Sequence, residues 1–294
     1  MTTNASNARA ESTLAGGPVL SPRLFEKFSN FVTTQLGIKM PASKRTMLQS
    51  RLQKRLRQLR LRSFEEYYDF VFSEEGRHQE LSHLLDTATT NKTDFYREPR
   101  HYEVLTQTVL PDLIRHAGAG LRRPLKVWSA GCSTGAEPYT LAMELSEMAT
   151  RIDGFKFQIL ATDICTRVLG IAYNAVYEER EAHPVPMVCK KKYLLRSKDR
   201  NRPRIRIAPD LRRMVEFRQL NLMDPDYGMP AALDIIFCRN VIIYFDRPTQ
   251  FGVLSRLCRC LKPNGYLFMG HSETLNGFDL PLRSVASTVY RKVG

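Results

Sequence analysis

The sequence lacks the patterns that mark membrane, secreted and metal-binding proteins. Its apolar runs fall short of the ~18 residues that a spanning helix needs, and residues 1–20 lack the apolar core of a secretory signal. Its six cysteines form no C-x-x-C pair and no Cys/His metal spacing. We therefore expect a cytoplasmic protein with free thiols, no membrane insertion and no metal.

Acidic residues are missing from one long stretch. Between Lys39 and Arg62 there are nine Lys or Arg residues and no Asp or Glu, in a chain of net charge +14. Leu48, Leu52, Leu56 and Leu59 recur at helical spacing within it, which predicts an amphipathic helix with a basic solvent face. Such a face serves solubility, or it binds an acidic partner such as nucleic acid, anionic lipid or an acidic protein surface.

The distribution of apolar residues predicts two domains. Residues 1–20 are small and polar and are expected to form a disordered tail. Residues 21–88 show no strand-like alternation and predict a helical domain, whereas short apolar runs alternate with helical patterns in the rest of the chain, 89–294. This alternation is typical of a mostly parallel sheet covered by helices on both faces. Residues 177–216 interrupt it and predict a small hairpin-like β insertion.

The turn after the first apolar run, "VWSAGCSTGAEP", lacks the G-x-G-x-x-G spacing of dinucleotide sites. Glycine turns also end many strands for packing reasons, so the turn alone decides nothing. Gly131 allows a ligand to approach the backbone closely. Glu137, at the start of the next helix, repels a phosphate but suits an ammonium or sulfonium group. Asp163, at the end of the second run, suits the two ribose hydroxyls. Together they favour S-adenosylmethionine over NAD.

Six motifs in order carry a family resemblance: "TNKTDFYREPRHY", "SAGCSTGAEPYTLAM", "ATDI", "NLMD", "FCRNVIIYFD" and "GHSETL". They resemble the chemotaxis receptor methyltransferase family (CheR, protein-glutamate O-methyltransferase) over nearly all of 21–294. The resemblance implies an α/β fold: a Rossmann-like S-adenosylmethionine-dependent methyltransferase domain with a small β-subdomain, preceded by an all-α receptor-recognition domain. It implies methyl transfer to receptor glutamates, with S-adenosylhomocysteine as product.

The same resemblance implies the roles of particular residues. Those on the cofactor are Asn91, Thr93, Arg97, Gly131, Glu137, Asp163, Asn221, Leu222, Asn240 and Val241. Arg97 and Tyr244 are placed at the reacting centre and are the predicted catalytic residues. The residues alone leave alternatives open: Asn221 as a turn residue, Tyr244 as a core aromatic and Arg97 as a surface salt-bridge partner.

The predicted partner is the acidic helical bundle of a methyl-accepting chemoreceptor, with the protein recruited to membrane receptor arrays. Arg51, Arg55 and Arg62, expected on one face of the basic helix, are the predicted receptor contacts. Some family members also hold a receptor C-terminal peptide on an edge strand of the β-subdomain. Here the corresponding loop, "RSKDRNRPRIR", contains no glycine, whereas tethering members carry glycines at that turn.

Two other functions remain as alternatives. A nucleic-acid methyltransferase would use the basic charge, but the segment "RNVIIYF" lacks the Pro-Pro-Tyr/Phe run that grips a flipped base, and Cys238 does not follow a proline. A non-catalytic module that docks on receptor arrays would not need the cofactor residues. We therefore expect no nucleic-acid partner.

Overall fold

The computed structural model describes residues 17–229 and 233–293. They form two compact units. We call residues up to 33 together with 40–88 the helical unit, and residues 34–39 together with those from 89 onward the sheet unit. Most of the predicted tail, residues 1–16, lies outside the described residues. Residues 17–20 are described, and here Leu20 is fully buried and its N–H donates to Gln49 Oε1 at 2.9 Å.

The helical unit consists of short helices with recognisable caps. They are α1 (Pro22–Leu36, whose last residues belong to the sheet unit), α2 (Arg45–Leu59), α3 (Phe64–Phe72), α4 (Glu74–Gln79) and α5 (Leu81–Ala88). Ser21 caps α1 by accepting the Leu24 N–H, and Ser63 caps α3 by accepting the Glu66 N–H. None of the described helices has the length and apolar composition of a membrane span.

Helix α2 confirms the predicted amphipathic pattern, because Leu48, Leu52 and Leu56 are buried, whereas Leu59 at its end is only half buried. Its basic residues differ from the prediction in one respect. The helix ends at Leu59, and Arg60 adopts a left-handed conformation with φ 58°. Arg62 therefore lies beyond the helix, and the prediction that it shares a helical face with Arg51 and Arg55 is wrong.

Two of the predicted receptor contacts have partners inside the helical unit. Arg51 Nη1 donates to the Thr87 carbonyl at 2.7 Å. Arg55 forms a two-pronged ion pair with Glu80, at 2.5 and 2.6 Å, and the Tyr67 hydroxyl donates to the same carboxylate. Glu80 is 1% exposed. The positive charge of Arg55 thus neutralises a buried carboxylate of its own chain, and this bond raises the pKa of Arg55.

The sheet unit alternates helices and strands. Its helices are α6 (Arg100–Val104), which continues through a π-helical segment (Leu105–Val109) into α7 (Leu110–Ala117), α8 (Ala136–Arg151), α9 (Thr166–Asn174), α10 (Met187–Tyr193), α11 (Pro209–Arg212) and α12 (Arg247–Cys260). Its strands are β1 (Leu125–Ala130), β2 (Phe157–Asp163), β3 (Val176–Glu178), β4 (Leu194–Arg196), β5 (Arg204–Ile207), β6 (Val215–Gln219), β7 (Leu233–Cys238), β8 (Leu261–Met269), β9 (Leu282–Ala286) and β10 (Val289–Lys292).

Seven strands form the main sheet in the order β6-β2-β1-β7-β8-β10-β9. The pairs from β6 to β8 are parallel, and β10 pairs antiparallel with both β8 and β9. In the central strands β1 and β7 nearly every residue is buried, as expected for strands covered on both faces. The predicted mostly parallel sheet is therefore confirmed.

The β insertion is smaller than the predicted range. Strands β3, β5 and β4 form a separate antiparallel sheet, which ends at Ile207. Strand β6, from Val215, instead pairs in parallel with β2 in the main sheet. Its outward residues are exposed, so it lacks the apolar run of a central strand. The hairpin β9–β10 was not predicted, for the same reason: most of its residues are only half buried or exposed.

Candidate active site

A cleft lies where the strand order of the main sheet reverses direction. From β1 the chain builds outward through β2 to β6, then returns to place β7 on the other side of β1. Such a switch point opens a crevice at the carboxyl ends of the strands. Gly131 follows β1, Asp163 ends β2 and Arg239 follows β7, and all three line the cleft. Its empty volume, which includes open solvent at the mouth of the cleft, is about 960 Å³.

All the residues predicted to bind the cofactor or to act in catalysis line this one cleft. They are Asn91, Thr93, Arg97, Gly131, Glu137, Asp163, Asn221, Leu222, Asn240, Val241 and Tyr244. They come from five separate stretches of the chain, so the fold, rather than sequence proximity, brings them together.

Gly131 is required by the shape of the turn after β1. Its φ is +78°, and a Cβ there would lie 2.5 Å from Cγ2 of Val241. Any side chain would therefore strain the backbone and push Val241 out of its position in the cleft. The glycine keeps the floor of the cleft open beside the end of β7.

The Asp163 carboxylate is held in the cleft by main-chain donors. Its Oδ2 accepts the Ser133 N–H at 2.8 Å and its Oδ1 accepts the Cys165 N–H at 2.9 Å. Because Asp163 lines the cleft, these fixed oxygens suit a ligand with two neighbouring hydroxyl donors, as a ribose has.

Glu137 lies in the first turn of α8, deep in the cleft. Its Oε1 accepts the Ser129 hydroxyl at 2.7 Å, and its Oε2 lies 3.3 Å from Arg239 Nη1. Burial raises the pKa of Glu137, and the nearby Arg239 and the Ser129 bond oppose that shift. A cationic ligand group beside Glu137 would further favour its ionised form. The carboxylate thus fits an ammonium or sulfonium.

Arg239 is the principal residue that the sequence interpretation missed. Its side chain is only 2% exposed, and it joins Glu137 to Glu98, whose Oε2 lies 3.0 Å from Nη2. Its Nη1 also donates to the Tyr102 hydroxyl at 3.1 Å, and Nη2 donates to the Arg97 carbonyl. Burial raises the pKa of Glu98, but Arg239 and the His271 N–H outweigh it and the net shift is downward.

Glu98, His101 and His271 form a group whose ligand atoms lie within 4.8 Å of one another, as in a metal site. Burial, with help from Arg239, lowers the pKa of His101 to about 4, so its imidazole is neutral. The Arg239 guanidinium already lies on Glu98, and its positive charge opposes a second cation there.

The structure also shows the surroundings of the three residues for which the sequence left alternative roles open. The Asn221 side chain accepts the Met223 N–H and donates to the Gln35 carbonyl, so Asn221 shapes a turn as well as lining the cleft. Tyr244 is half buried and lines the cleft rather than the core. Arg97 Nη1 donates to the Lys92 carbonyl at 2.9 Å, a main-chain partner rather than a surface carboxylate.

A parallel α/β sheet with this set of carboxylates at its switch point defines a nucleoside-binding enzyme of the S-adenosylmethionine-dependent methyltransferase class. The comparisons with known proteins support that class and refine it. The model of the family "CheR methyltransferase, SAM binding domain" matches residues 91–291, and that of "CheR methyltransferase, all-alpha domain" matches residues 23–89. The chain belongs to the CheR methyltransferase family.

Curated relatives match most of the chain. "Chemotaxis protein methyltransferase 2" of Pseudomonas aeruginosa is 42% identical over 254 residues, which are 86% of this chain and 87% of that protein. "Chemotaxis protein methyltransferase" of Borreliella burgdorferi is 37% identical over 89% of this chain and 91% of its own. The Escherichia coli protein of the same name is 35% identical over 92% and 91%. The predicted family, fold class and enzyme class are confirmed.

Proposed function

We propose that this protein transfers the methyl group of S-adenosylmethionine to glutamate side chains of chemoreceptor cytoplasmic domains, giving glutamate methyl esters. The observation that carries the proposal is the charge pattern of the cleft. Two of the carboxylates in the cleft, Asp163 and Glu137, lie where a ribose and a cationic amino-acid tail would bind, and two of its basic side chains, Lys92 and Arg97, line the same cleft. The basic side chains suit an anionic acceptor such as a carboxylate.

The reaction does not require a general base. A glutamate side chain has an ordinary pKa near ~4.3 and is already ionised at neutral pH. When bound, S-adenosylmethionine supplies an electrophilic methyl group on a positively charged sulfur. The residues of the chain therefore need to align the acceptor oxygen and to keep water out, because water stabilises the separated charges that disappear in the transition state.

The proposed roles of the site residues are those that the family resemblance implies, and their shared cleft supports them. Asp163 and Glu137 hold the donor, together with Asn91, Thr93, Asn221, Leu222, Asn240 and Val241. Arg97 and Tyr244 orient the acceptor carboxylate from the same cleft. Their bonds to it must be modest, since a strong bond to the ionised acceptor would stabilise the ground state and slow the transfer.

We propose that the basic face of α2 binds the acidic receptor bundle. Among its cationic residues, Lys54 and Arg57 are exposed on the helix, and Arg60 and Arg62 are exposed just beyond it. Arg51 and Arg55 belong to the proposed surface through their charge, although both also have internal partners. The expected contribution is mainly to the association rate and fades with added salt.

The β-subdomain offers two edge strands, β3 and β4, for a receptor peptide. Each is three residues long, and Leu195 of β4 is 52% exposed. We propose peptide binding along β4 as a secondary contact, in which the added strand pairs with the outer main-chain edge of β4.

The function is tested by incubating the protein with tritiated S-adenosylmethionine and receptor-containing membranes. Carboxyl methyl esters release labelled methanol in base, whereas N-methyl groups on nucleic acid keep their label. We expect base-labile label on the receptors. Stable label, or label on nucleic acid, contradicts the proposal.

Asp163→Ala is expected to weaken binding of S-adenosylhomocysteine by roughly 1.5–3 kcal/mol, because it removes a charged acceptor. This corresponds to an increase of about 10- to 150-fold in the dissociation constant measured by calorimetry. Asp153→Ala is the matched control, since Asp153 is an exposed acid before the opposite end of β2. Equal affinities for the two variants would show that the ribose does not bind at Asp163.

A further inference from the structure

The carboxylate of Glu273 collects five main-chain N–H groups. Its Oε1 accepts from Val241 at 2.9 Å, Ile242 at 2.7 Å and Ile243 at 3.3 Å. Its Oε2 accepts from Asn240 at 3.0 Å and Gly270 at 2.6 Å. Four of the five donors are consecutive residues that follow β7, and the fifth follows β8.

These bonds hold the carboxylate in a buried position. Glu273 is 4% exposed. Burial raises its pKa, and the N–H donors of Gly270, Asn240 and their neighbours oppose that shift. All five partners donate, so the ionised form fits them and a protonated carboxyl would have to turn its own hydrogen toward a donor.

Residues 240–244, which we call the 240–244 segment, have an irregular backbone, and the first four donate their N–H groups to this carboxylate. Asn240 has a φ of +59°, a conformation that costs energy in a residue with a side chain. Ile242–Tyr244 then form a single 3-10 turn. Successive N–H groups converging on one point make an anion-binding concavity, and here the anion is a side chain of the protein itself.

The 240–244 segment, which follows β7, also contributes residues to the cleft. Asn240, Val241 and Tyr244 all line it. Packing behind the segment is tight, because a Cβ on Gly270 would lie 2.5 Å from Nδ2 of Asn240. A small change in the backbone at 240–243 would therefore displace the three cleft residues together.

We propose that Glu273 is a positioning residue: its carboxylate folds the 240–244 segment into the shape that presents Asn240, Val241 and Tyr244 to the donor and the acceptor. The inference rests on the proposed function for its activity readout. Glu273 itself is not among the described residues that line the cleft. It therefore acts through the 240–244 segment rather than by contact with the donor or the acceptor.

If Glu273 had a merely structural role, it would connect the ends of β7 and β8, and its loss would lower stability without affecting the cleft. Asp234 provides the control for that role. It lies at the opposite end of β7, is 1% exposed, and accepts from Arg123 at 2.6 and 2.7 Å and from the Lys126 N–H at 2.9 Å. Asp234→Asn therefore disturbs a different buried carboxylate, at the end of β7 that lies away from the cleft residues.

The test compares Glu273→Gln with Asp234→Asn in the full chain. The glutamine substitution keeps the length of the side chain but places an NH₂ group against N–H donors. For Glu273→Gln we expect the turnover to fall about 10- to 100-fold, since small misplacements of reacting groups have effects of that size, and the affinity for S-adenosylhomocysteine to fall with it. Asp234→Asn is expected to lower the melting temperature at least as much while both functional values remain near wild type.

Two further measurements separate the outcomes. Hydrogen exchange of the amides of residues 240–243 should accelerate in Glu273→Gln and not in Asp234→Asn. Binding can be followed through the only tryptophan, Trp128, whose Nε1 donates to Thr162, a cleft residue. If the wild type fails to bind S-adenosylhomocysteine, the proposed function fails. If the wild type binds and methylates and Glu273→Gln matches it, or if both variants lose activity only in proportion to stability, this inference is wrong.

Discussion

Arg239→Met is expected to remove most of the methyltransferase activity and to lower the free energy of unfolding by about 3–5 kcal/mol. The substitution leaves Glu98 and Glu137 without their shared cation, and the Arg239 side chain is only 2% exposed, so water does not replace the lost charge. Cofactor binding should weaken as well, because Glu137 would be protonated more readily and would lose its fixed orientation.

Methyl transfer to receptor-containing membranes, denaturant unfolding and calorimetry with S-adenosylhomocysteine measure these three effects in turn. Arg218→Met is the control, since Arg218 is 50% exposed and its ion pair with Glu216 lies on an edge strand. Such a surface pair contributes about 0–1 kcal/mol. The double variant Arg239→Met Glu98→Gln should regain part of the lost stability, because one of the two stranded carboxylates becomes neutral. A loss for Arg239→Met no larger than that for Arg218→Met would contradict the proposed ion network.

The cleft could be predicted from the sequence because its residues follow from topology. Once the apolar runs that became β1, β2 and β7 were identified, parallel pairing required their carboxyl ends to meet at one edge. Gly131 and Asp163 were thus placed from their positions at strand ends, and Glu137 from its charge at the start of the following helix. The remaining cofactor residues came from the family resemblance, since nothing in the local pattern around Asn221 distinguishes a ligand contact from a turn.

Arg239 and Glu273 could not be predicted because their partners are distant in sequence. Arg239 precedes the predicted residue Asn240, yet its acids, Glu98 and Glu137, come from the loop before α6 and from α8. The only sequence signal for Glu273 was its place in the motif "GHSETL", which does not reveal that five N–H groups converge on it. The edge strands were missed for another reason: their exposed residues give no apolar run.

The same limit affected the basic helix. The sequence shows no acid within four residues of Arg55, which suggested an unbalanced charge, but Glu80 pairs with it from 25 residues away. The consequence is practical, because a charge reversal at Arg55 does not test receptor binding alone. It introduces a second carboxylate beside Glu80, which is 1% exposed.

Charge reversal on α2 is therefore expected to separate into two effects. Arg55→Glu should destabilise the protein by about 3 kcal/mol, the lower end for a broken buried pair, because Arg55 itself remains 24% exposed. Lys54→Glu and Arg57→Glu change exposed residues of the same helix and should leave the melting temperature nearly unchanged.

If the basic face binds the acidic receptor, the double variant Lys54→Glu Arg57→Glu slows receptor methylation at low salt, and the difference from the wild type shrinks as salt is added. Its affinity for S-adenosylhomocysteine stays at the wild-type value. Reversal of Glu26, an exposed acid on α1, to lysine is the matched control and should not slow methylation. Unchanged methylation by the double variant, measured with receptor-containing membranes at low salt, would show that the basic face is a solvated surface and that the receptor binds elsewhere.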